Sequence, residues 1–249
     1  MSTVLWDAER YERQPLPHEV WGAGVIGRAG LRAADSLVDA GCGTGRDAEL
    51  ALTVLARLAE DHEVPTGVVT LLDADGAMIE AARTRLSGYS EHERLAIRQA
   101  DLVEPWPVDD PADVIMSVAA LHWIGDHATV FRRAAAAGTA EARLHVDCGG
   151  AGNIRAIVEA ATKVGLPMPA WNFATVDETV ADLRAGGWEP KNVWLNADPL
   201  VLPDAGTFRE FLQSVMFHNA SEAQLDEMVQ ACPDSVVDYV RLNIDASRT

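Results

Sequence analysis

An α/β fold, a largely parallel sheet with helices on both faces, is what the sequence predicts. Three observations carry that expectation. From Ser36 onward short apolar runs alternate with longer helical patterns. Several of the runs are apolar at every position, as strands buried on both faces must be. The first run ends in a turn with three glycines that leads straight into a helix.

The elements follow in order. SLVDA is the first strand. Asp47 to Ala59 carries Leu50, Leu52, Val54, Leu55 and Leu58 among charges, an amphipathic helix, and GVVTLLDAD is the second strand, closing a β-α-β unit. Ala77 to Leu86 is the next helix, LAIRQADL the third strand, ADVIMSVAAL the fourth, His127 to Ala137 a helix and ARLHVDCG the fifth strand. RRAAAAGTAEAR reads as the small-residue end of that helix. Beyond it come a helix over Ile154 to Val164, a proline-rich crossing at LPMPAW, a helix over Val176 to Ala185 ended by Gly186 and Gly187, and the strand WEPKNVWLN. In the closing strand, DYVRLNID, Tyr239, Arg241 and Asn243 share one face and Val240, Leu242 and Ile244 the other. Between these last two strands, Thr207 to Ala231 has apolar residues at helical spacing, which predicts two inserted helices. The chain is expected to form one domain over residues 1–249, with an N-terminal segment, 1–27, folding over the site and a helical cap over 199–237.

Composition sets exclusions. A formal charge of −18 with no basic stripe argues against a nucleic acid partner. No apolar run approaches the roughly 20 residues of a membrane helix, and the N-terminus meets charge before any sustained apolar stretch, so a cytoplasmic protein is expected. Cys42, Cys148 and Cys232 are far apart and odd in number, which suits buried thiols and gives neither a disulfide framework nor a metal-ligand spacing. No residue cluster predicts a metal site. Composition leaves the oligomeric state open.

Gly41, Gly43 and Gly45 bare the backbone where the first strand turns into its helix, so a ligand can approach main-chain N–H groups closely. Thr44 and Asp47 fit a capping box that would start the helix just after Gly43. The spacing is GxGxG; Arg46 stands where a dinucleotide fold would have its third glycine, which points away from NAD. Asp73, at the end of the second strand, is placed to accept both hydroxyls of a ribose, and Asp75 to cap the following helix. After the third strand, Asp101 can accept from an adenine amino group while Leu102 and Met78 pack on the ring.

Together VDAGCGTGR, LLDADGAMIEAAR, QADL and ADVIMSVAALHWI resemble the motifs of class I S-adenosylmethionine-dependent methyltransferases. LHWIGDH, CGGAGN and WDAERY are similar to the trans-aconitate methyltransferase-like group of small-molecule enzymes within it. The resemblance implies a Rossmann-like sheet of seven strands closed by an antiparallel one, and S-adenosylmethionine as cofactor. It puts Asp39 and Gly41 beside the methionine moiety, Asp73 on the ribose, and Asp101 with Leu102 at the adenine; Cys42, Gly43, Gly45, Ala74, Met78 and Ser117 complete the expected cofactor set. It also implies a small-molecule acceptor methylated on oxygen, as a carboxylate or a hydroxyl. Two other readings stand beside it: a same-fold enzyme, such as a cyclase, that uses the cofactor for orientation, and a non-catalytic cofactor-binding module.

For the acceptor, His122 is the candidate base, or a donor to a substrate carboxylate, against a structural role in its loop. Asp126 reads as a helix N-cap. Trp123 packs in the pocket; Tyr11 and Arg13 either reach the ligand from the N-terminal segment or belong to an amphipathic helix docked on the sheet edge with its charges solvated; Asn153 and Arg155 face the pocket from the loop after the fifth strand, and an arginine there would hold an acid in bidentate fashion. Phe211, with Phe208, Val215, Met216 and Phe217, either lines an apolar cavity or packs on the domain.

Overall fold

The computed structural model describes residues 17–60, 67–89 and 94–249, so Tyr11, Arg13 and most of the expected N-terminal lid lie outside the described residues. Nine strands are described: β1 Leu37–Ala40, β2 Val69–Asp73, β3 Leu95–Gln99, β4 Ala112–Val118, β5 Gly138–Gly149, β6 Trp188–Ala197, β7 Leu200–Val201, β8 Val236–Val237 and β9 Val240–Arg248. Seven form one sheet in the order β3-β2-β1-β4-β5-β9-β6. The pairings from β3 through to β5 are parallel, while β9 lies antiparallel between β5 and β6. This is the doubly wound sheet with an antiparallel last strand that the sequence motifs imply.

All four residues of β1 are buried, and they divide between two apolar layers: Leu37 joins Leu71, Val114 and Met116 on one face, and Val38 joins Leu72, Ile115 and Leu144 on the other. A strand covered on both faces has no polar positions to alternate with, which is why these runs read as unbroken apolar stretches. The helices are α1 His18–Ala29, α2 Arg46–Glu60, α3 Gly76–Arg85, α4 His127–Ala137, α5 Arg155–Lys163, α6 Val176–Ala185, α7 Ala205–Phe211 and α8 Glu222–Ala231. Asp75 caps α3 by accepting from the Ala77 and Met78 N–H groups, Asp126 caps α4 through Thr129 N–H, and Thr175 and Glu178 form a capping box on α6.

Four local features differ from the sequence expectation. The described part of segment 1–27 is α1, whose Trp21, Val25 and Ile26 are buried against β4, β5 and α2; from Pro17 on this is a core helix, ended by Gly30 in the left-handed region at φ 54°. Helix α2 begins at Arg46, one residue later than an N-cap at Thr44 would start it. GTAEAR is strand rather than helix end, because β5 starts at Gly138, where a Cβ would fall 2.7 Å from Ala142 Cβ. The cap over 199–237 is closed at its base by a ribbon, β7 against β8, too short to leave a period in the sequence, and α7 runs into a π-helical turn over Leu212–Met216.

Candidate functional site

The carboxyl ends of the parallel strands bring the glycine turn, Asp73 and a second, aromatic recess together. In the turn, the Gly41 and Cys42 N–H groups both donate to Leu72 O, at 2.7 and 3.0 Å, which pins the loop to β2. Gly41, Gly43 and Gly45 have φ of 81°, 52° and 80°. Their surroundings differ. A Cβ on Gly41 would fall 2.3 Å from Ala120 Cβ and one on Gly45 3.2 Å from Ala82 Cβ, whereas one on Gly43 would meet nothing within 4 Å. Two of the glycines therefore allow close packing, and Gly43 alone presents bare backbone to open space, as a docked ligand requires.

Asp73 stands over that opening. Its Oδ2 accepts the Gly43 N–H and its Oδ1 the Asp75 N–H, both at 2.9 Å, so each oxygen keeps a lone pair for a ligand hydroxyl. Burial raises its pKa and these backbone hydrogen bonds oppose the rise. Asp39 is 1% exposed and its Oδ2 has no hydrogen-bond partner. Burial, then the charges of Asp47 and Asp73, push its pKa well above the carboxylate range. Asp47, packed so closely on α1 that a Cβ on Gly22 would fall 1.8 Å from its Oδ1, is raised to about 7, chiefly by burial. A cation docked beside these acids would draw their raised pKa values back down, and an adenosyl sulfonium with an α-ammonium group is one. The same acids and burial hold Cys42 as a protonated thiol.

The other expected cofactor residues have the following surroundings. Ser117 Oγ donates to Ala40 O at 2.6 Å, fixing β4 to the base of the loop. Leu102 is buried, with Cδ1 3.9 Å from the Gly41 Cβ position, and Met78 is buried on α3. Asp101 is exposed and accepts the Val103 N–H at 3.1 Å, and Ala74 O accepts from Gln99 Nε2 at 2.9 Å.

Beside the turn lies a recess of about 440 Å³, open mouth included, lined by Trp21, Ala119, His122, Trp123, Asn153, Ile154, Trp171, Phe173, Val215, Met216, Tyr239 and Arg241. The aromatic rings touch in series: Trp123 on Trp171 at 5.7 Å, Trp171 on Phe173 at 5.6 Å, and Trp21 edge-on to Tyr239 at 5.1 Å. Ala119 and Ile154 are non-glycine residues at positive φ, 55° and 47°, and both line the recess; backbone strain of this kind persists where packing enforces it and gathers at functional sites. Ala119 is next to Ala120, whose methyl packs on Gly41, so one dipeptide forms the wall between turn and recess.

His122 sits in a short 3-10 turn, Leu121–Trp123, its ring stacked 6.0 Å from Phe173. Its Nδ1 accepts the Gly149 N–H at 3.3 Å. The neutral ring then carries its proton on Nε2, which makes that nitrogen a donor. Asn153 spends Oδ1 on the Val240 N–H at 2.9 Å and lines the recess. Trp123 lines it as well. Arg155 does not: it is exposed at the start of α5, and Phe211 is fully buried in the core, with Val215 and Met216 supplying the cap's contribution to the recess.

Among the described residues the cation at the recess is Arg241, which sequence reasoning placed on a strand face without assigning it to the site. It is 1% exposed, its Nε donates to Asp147 Oδ1 at 2.7 Å, and its Cζ lies 3.5 Å from the Trp21 ring centroid. The second guanidinium nitrogen, NH2, is ion-paired to Asp147 Oδ1 at 2.7 Å but lacks hydrogen-bond alignment. The available signal was an arginine in the interior of a strand that the sheet buries on both sides. Among the described residues no group of three or more His, Cys, Asp or Glu is arranged to hold a metal, and no helix is long and apolar enough to cross a membrane.

Fold and loop geometry together define a doubly wound nucleotide-cofactor domain with its site at the carboxyl ends of the strands. Residues 38–144 match the family model described as a methyltransferase domain. The trans-aconitate 2-methyltransferase of Rhizobium etli is 30% identical over 130 residues, which is 52% of this chain and 44% of that protein, so the chain spans less than half the length of this relative. Two solved structures share the fold: geranyl diphosphate C-methyltransferase from Streptomyces coelicolor A3(2), TM-score 0.60 at 14% identity over 93% of this chain and 80% of that one, and the YcgJ protein from Bacillus subtilis, TM-score 0.62 at 17% identity over 93% and 99%. The chain shares the seven-stranded Rossmann-like fold of these structures, and its residues 38–144 are similar to a methyltransferase domain.

Proposed function

We propose that the protein transfers a methyl group from S-adenosylmethionine to an oxygen of a small molecule seated in the aromatic recess. The observation that carries this reading is the shared wall: Ala120 packs on Gly41 of the glycine turn and Ala119 lines the recess, so the two sites abut. When bound, the cofactor would supply an electrophilic methyl on a sulfonium to an oxygen nucleophile of the acceptor. The chain's own part is positioning. Asp73 and the Gly43 backbone hold the nucleoside end, and Asp39 the cationic end. The aromatic walls exclude water and fix the acceptor in line, where most of the rate of such a displacement originates. His122, protonated on Nε2, orients an acceptor oxygen as a donor. A carboxylate nucleophile is already ionised at neutral pH and needs no base, which agrees with that role. The cap, with Val215 and Met216 on the recess, covers the acceptor.

The test is calorimetric titration with S-adenosylmethionine and S-adenosylhomocysteine, comparing the wild type with Asp73→Ala and Gly43→Val. Micromolar binding lost in both folded variants is the expected outcome. Absence of binding by the wild type overturns the reading.

A further inference from the structure

A second cleft, of about 880 Å³ with its open mouth included, lies on the sheet away from the glycine turn. Its Arg143 is opposite Val114, which is opposite Leu37, the first residue of β1, so the cleft sits toward the amino ends of the parallel strands. We propose that this cleft is a binding site for the phosphate dianion of a small phosphorylated molecule, received by Arg32, Arg143 and Lys191. The chain has a formal charge of −18, yet four of its 20 Lys and Arg residues, Arg28, Arg32, Arg143 and Lys191, line this one cleft. Among the described residues its lining holds a single carboxylate, Asp245. No basic stripe marks these positions in the sequence, because the fold draws them from α1 and the turn after it, from β5 and from the edge strand β6.

A local irregularity aims the lysine. Consecutive residues of a regular strand face opposite sides, but Lys191 and Asn192 both line the cleft. The register of β6 on β9 passes from Pro190 opposite Ala246 to Asn192 opposite Asp245, so Lys191 is the extra residue of a β-bulge, a device that re-aims side chains. Two arginines are held in place. Arg28 Nε donates to Asp245 Oδ1 at 3.0 Å and Arg143 to Asp35 Oδ2 at 2.6 Å, and each keeps 23% of its side chain exposed. His145 Nδ1 lies 2.8 Å from the same Asp245 oxygen. Asp245 is thus shared by Arg28 and His145, and Asp35 is spent on Arg143. Arg32 and Lys191 are exposed and form no ion pair among the described residues. Two surplus cations beside a guanidinium fork match a phosphate dianion better than a carboxylate. The positive potential is felt at His145: burial lowers its pKa, and the Arg28 and Arg143 charges lower it further against the pull of Asp245. A compact anion meets these cations alone, whereas an extended polyanion would run on over an acidic protein.

Phosphorus NMR titrations with glycerol 3-phosphate and with inorganic phosphate test the site. Saturable binding at millimolar concentration or below is expected, resistant to equimolar acetate and unchanged by saturating S-adenosylhomocysteine. Arg32→Ala and Lys191→Ala alter exposed side chains and should each weaken it about tenfold. Absence of saturation overturns the proposal. So does binding that neither substitution weakens, or that acetate or S-adenosylhomocysteine displaces, since the phosphate would then lie elsewhere or be read only as a single negative charge. Tighter binding of a single-stranded oligonucleotide, or retention on phosphatidate vesicles without binding of the free phosphates, overturns it in favour of a nucleic acid or a membrane surface.

Discussion

Asp73 holds the backbone of Gly43: its Oδ2 accepts the Gly43 N–H at 2.9 Å across the mouth of the glycine turn. The same carboxylate binds Asp75 N–H through Oδ1, so it braces the turn and the cap of α3 at once. In Asp73→Asn one oxygen remains, and the amide NH₂ faces a backbone donor. The expected outcome is a loss of S-adenosylhomocysteine affinity of about tenfold to a hundredfold, from weakened hydroxyl recognition and a loosened turn. Calorimetry checks it; an unchanged affinity would remove Asp73 from the ligand.

Gly41 and Gly43 separate folding from binding. Alanine at either must hold a left-handed φ, which costs about 1–2 kcal/mol. At Gly41 the new methyl also falls 2.3 Å from Ala120 Cβ, while at Gly43 it enters open space. Gly41→Ala should therefore lower the melting temperature of the free protein distinctly more than Gly43→Ala. Gly43→Ala should lose the rise in melting temperature that S-adenosylhomocysteine gives the wild type. Equal destabilisation by the two changes would show that Gly43 is packed in solution.

The positions that were legible in the sequence are those whose reasons are local. Buried parallel strands announce themselves as apolar runs, a capping Asp75 or Asp126 precedes its helix, and a glycine turn follows its strand. What was not legible depends on pairing across the chain. Arg155 and Arg241 both lie near strand ends, and only the register of β9 on β5, which sets Arg241 opposite Gly149 and next to Asp147, decides which of them meets the recess. Trp21 reads as one face of a terminal helix until that helix is packed on β5. The two-residue ribbon at the foot of the cap is shorter than any periodicity that could reveal it.

Asp47 makes stability depend on pH. Its folded pKa is about 7, mainly through burial, against about 3.9 in an unfolded chain. Between those values the folded state retains a proton that the unfolded state has released, so stability falls as pH rises from about 4 to 7 and levels off above that. Asp47→Asn removes the titration. The variant should match the wild type near pH 4.5 and exceed it at pH 8 by about 2–4 kcal/mol. Urea midpoints at the two pH values check this, and a difference independent of pH would assign the effect to packing against Gly22.

Arg241 and Asp147 form a buried pair between β9 and β5, and their removal should follow the asymmetry of such pairs. Asp147 is 5% exposed and its pKa is raised by burial, with the Arg241 charge as the leading opposing influence. Arg241→Met takes that influence away, leaves a carboxylate without its cation and strips the Trp21 ring of the guanidinium 3.5 Å above it. The expected cost is about 3–5 kcal/mol at pH 8. Asp147 would then ionise only at still higher pH in the folded state. A raised folded pKa means stability lost as pH rises, so the deficit should shrink as pH falls. The double variant Arg241→Met with Asp147→Asn has no charge to strand and should recover at least half of the loss at pH 8. Chemical denaturation of the wild type, both single variants and the double variant at pH 5 and pH 8 completes the cycle. A deficit in Arg241→Met that does not change with pH and is not relieved in the double variant would mean that the arginine stabilises the sheet through its stacking on Trp21 alone.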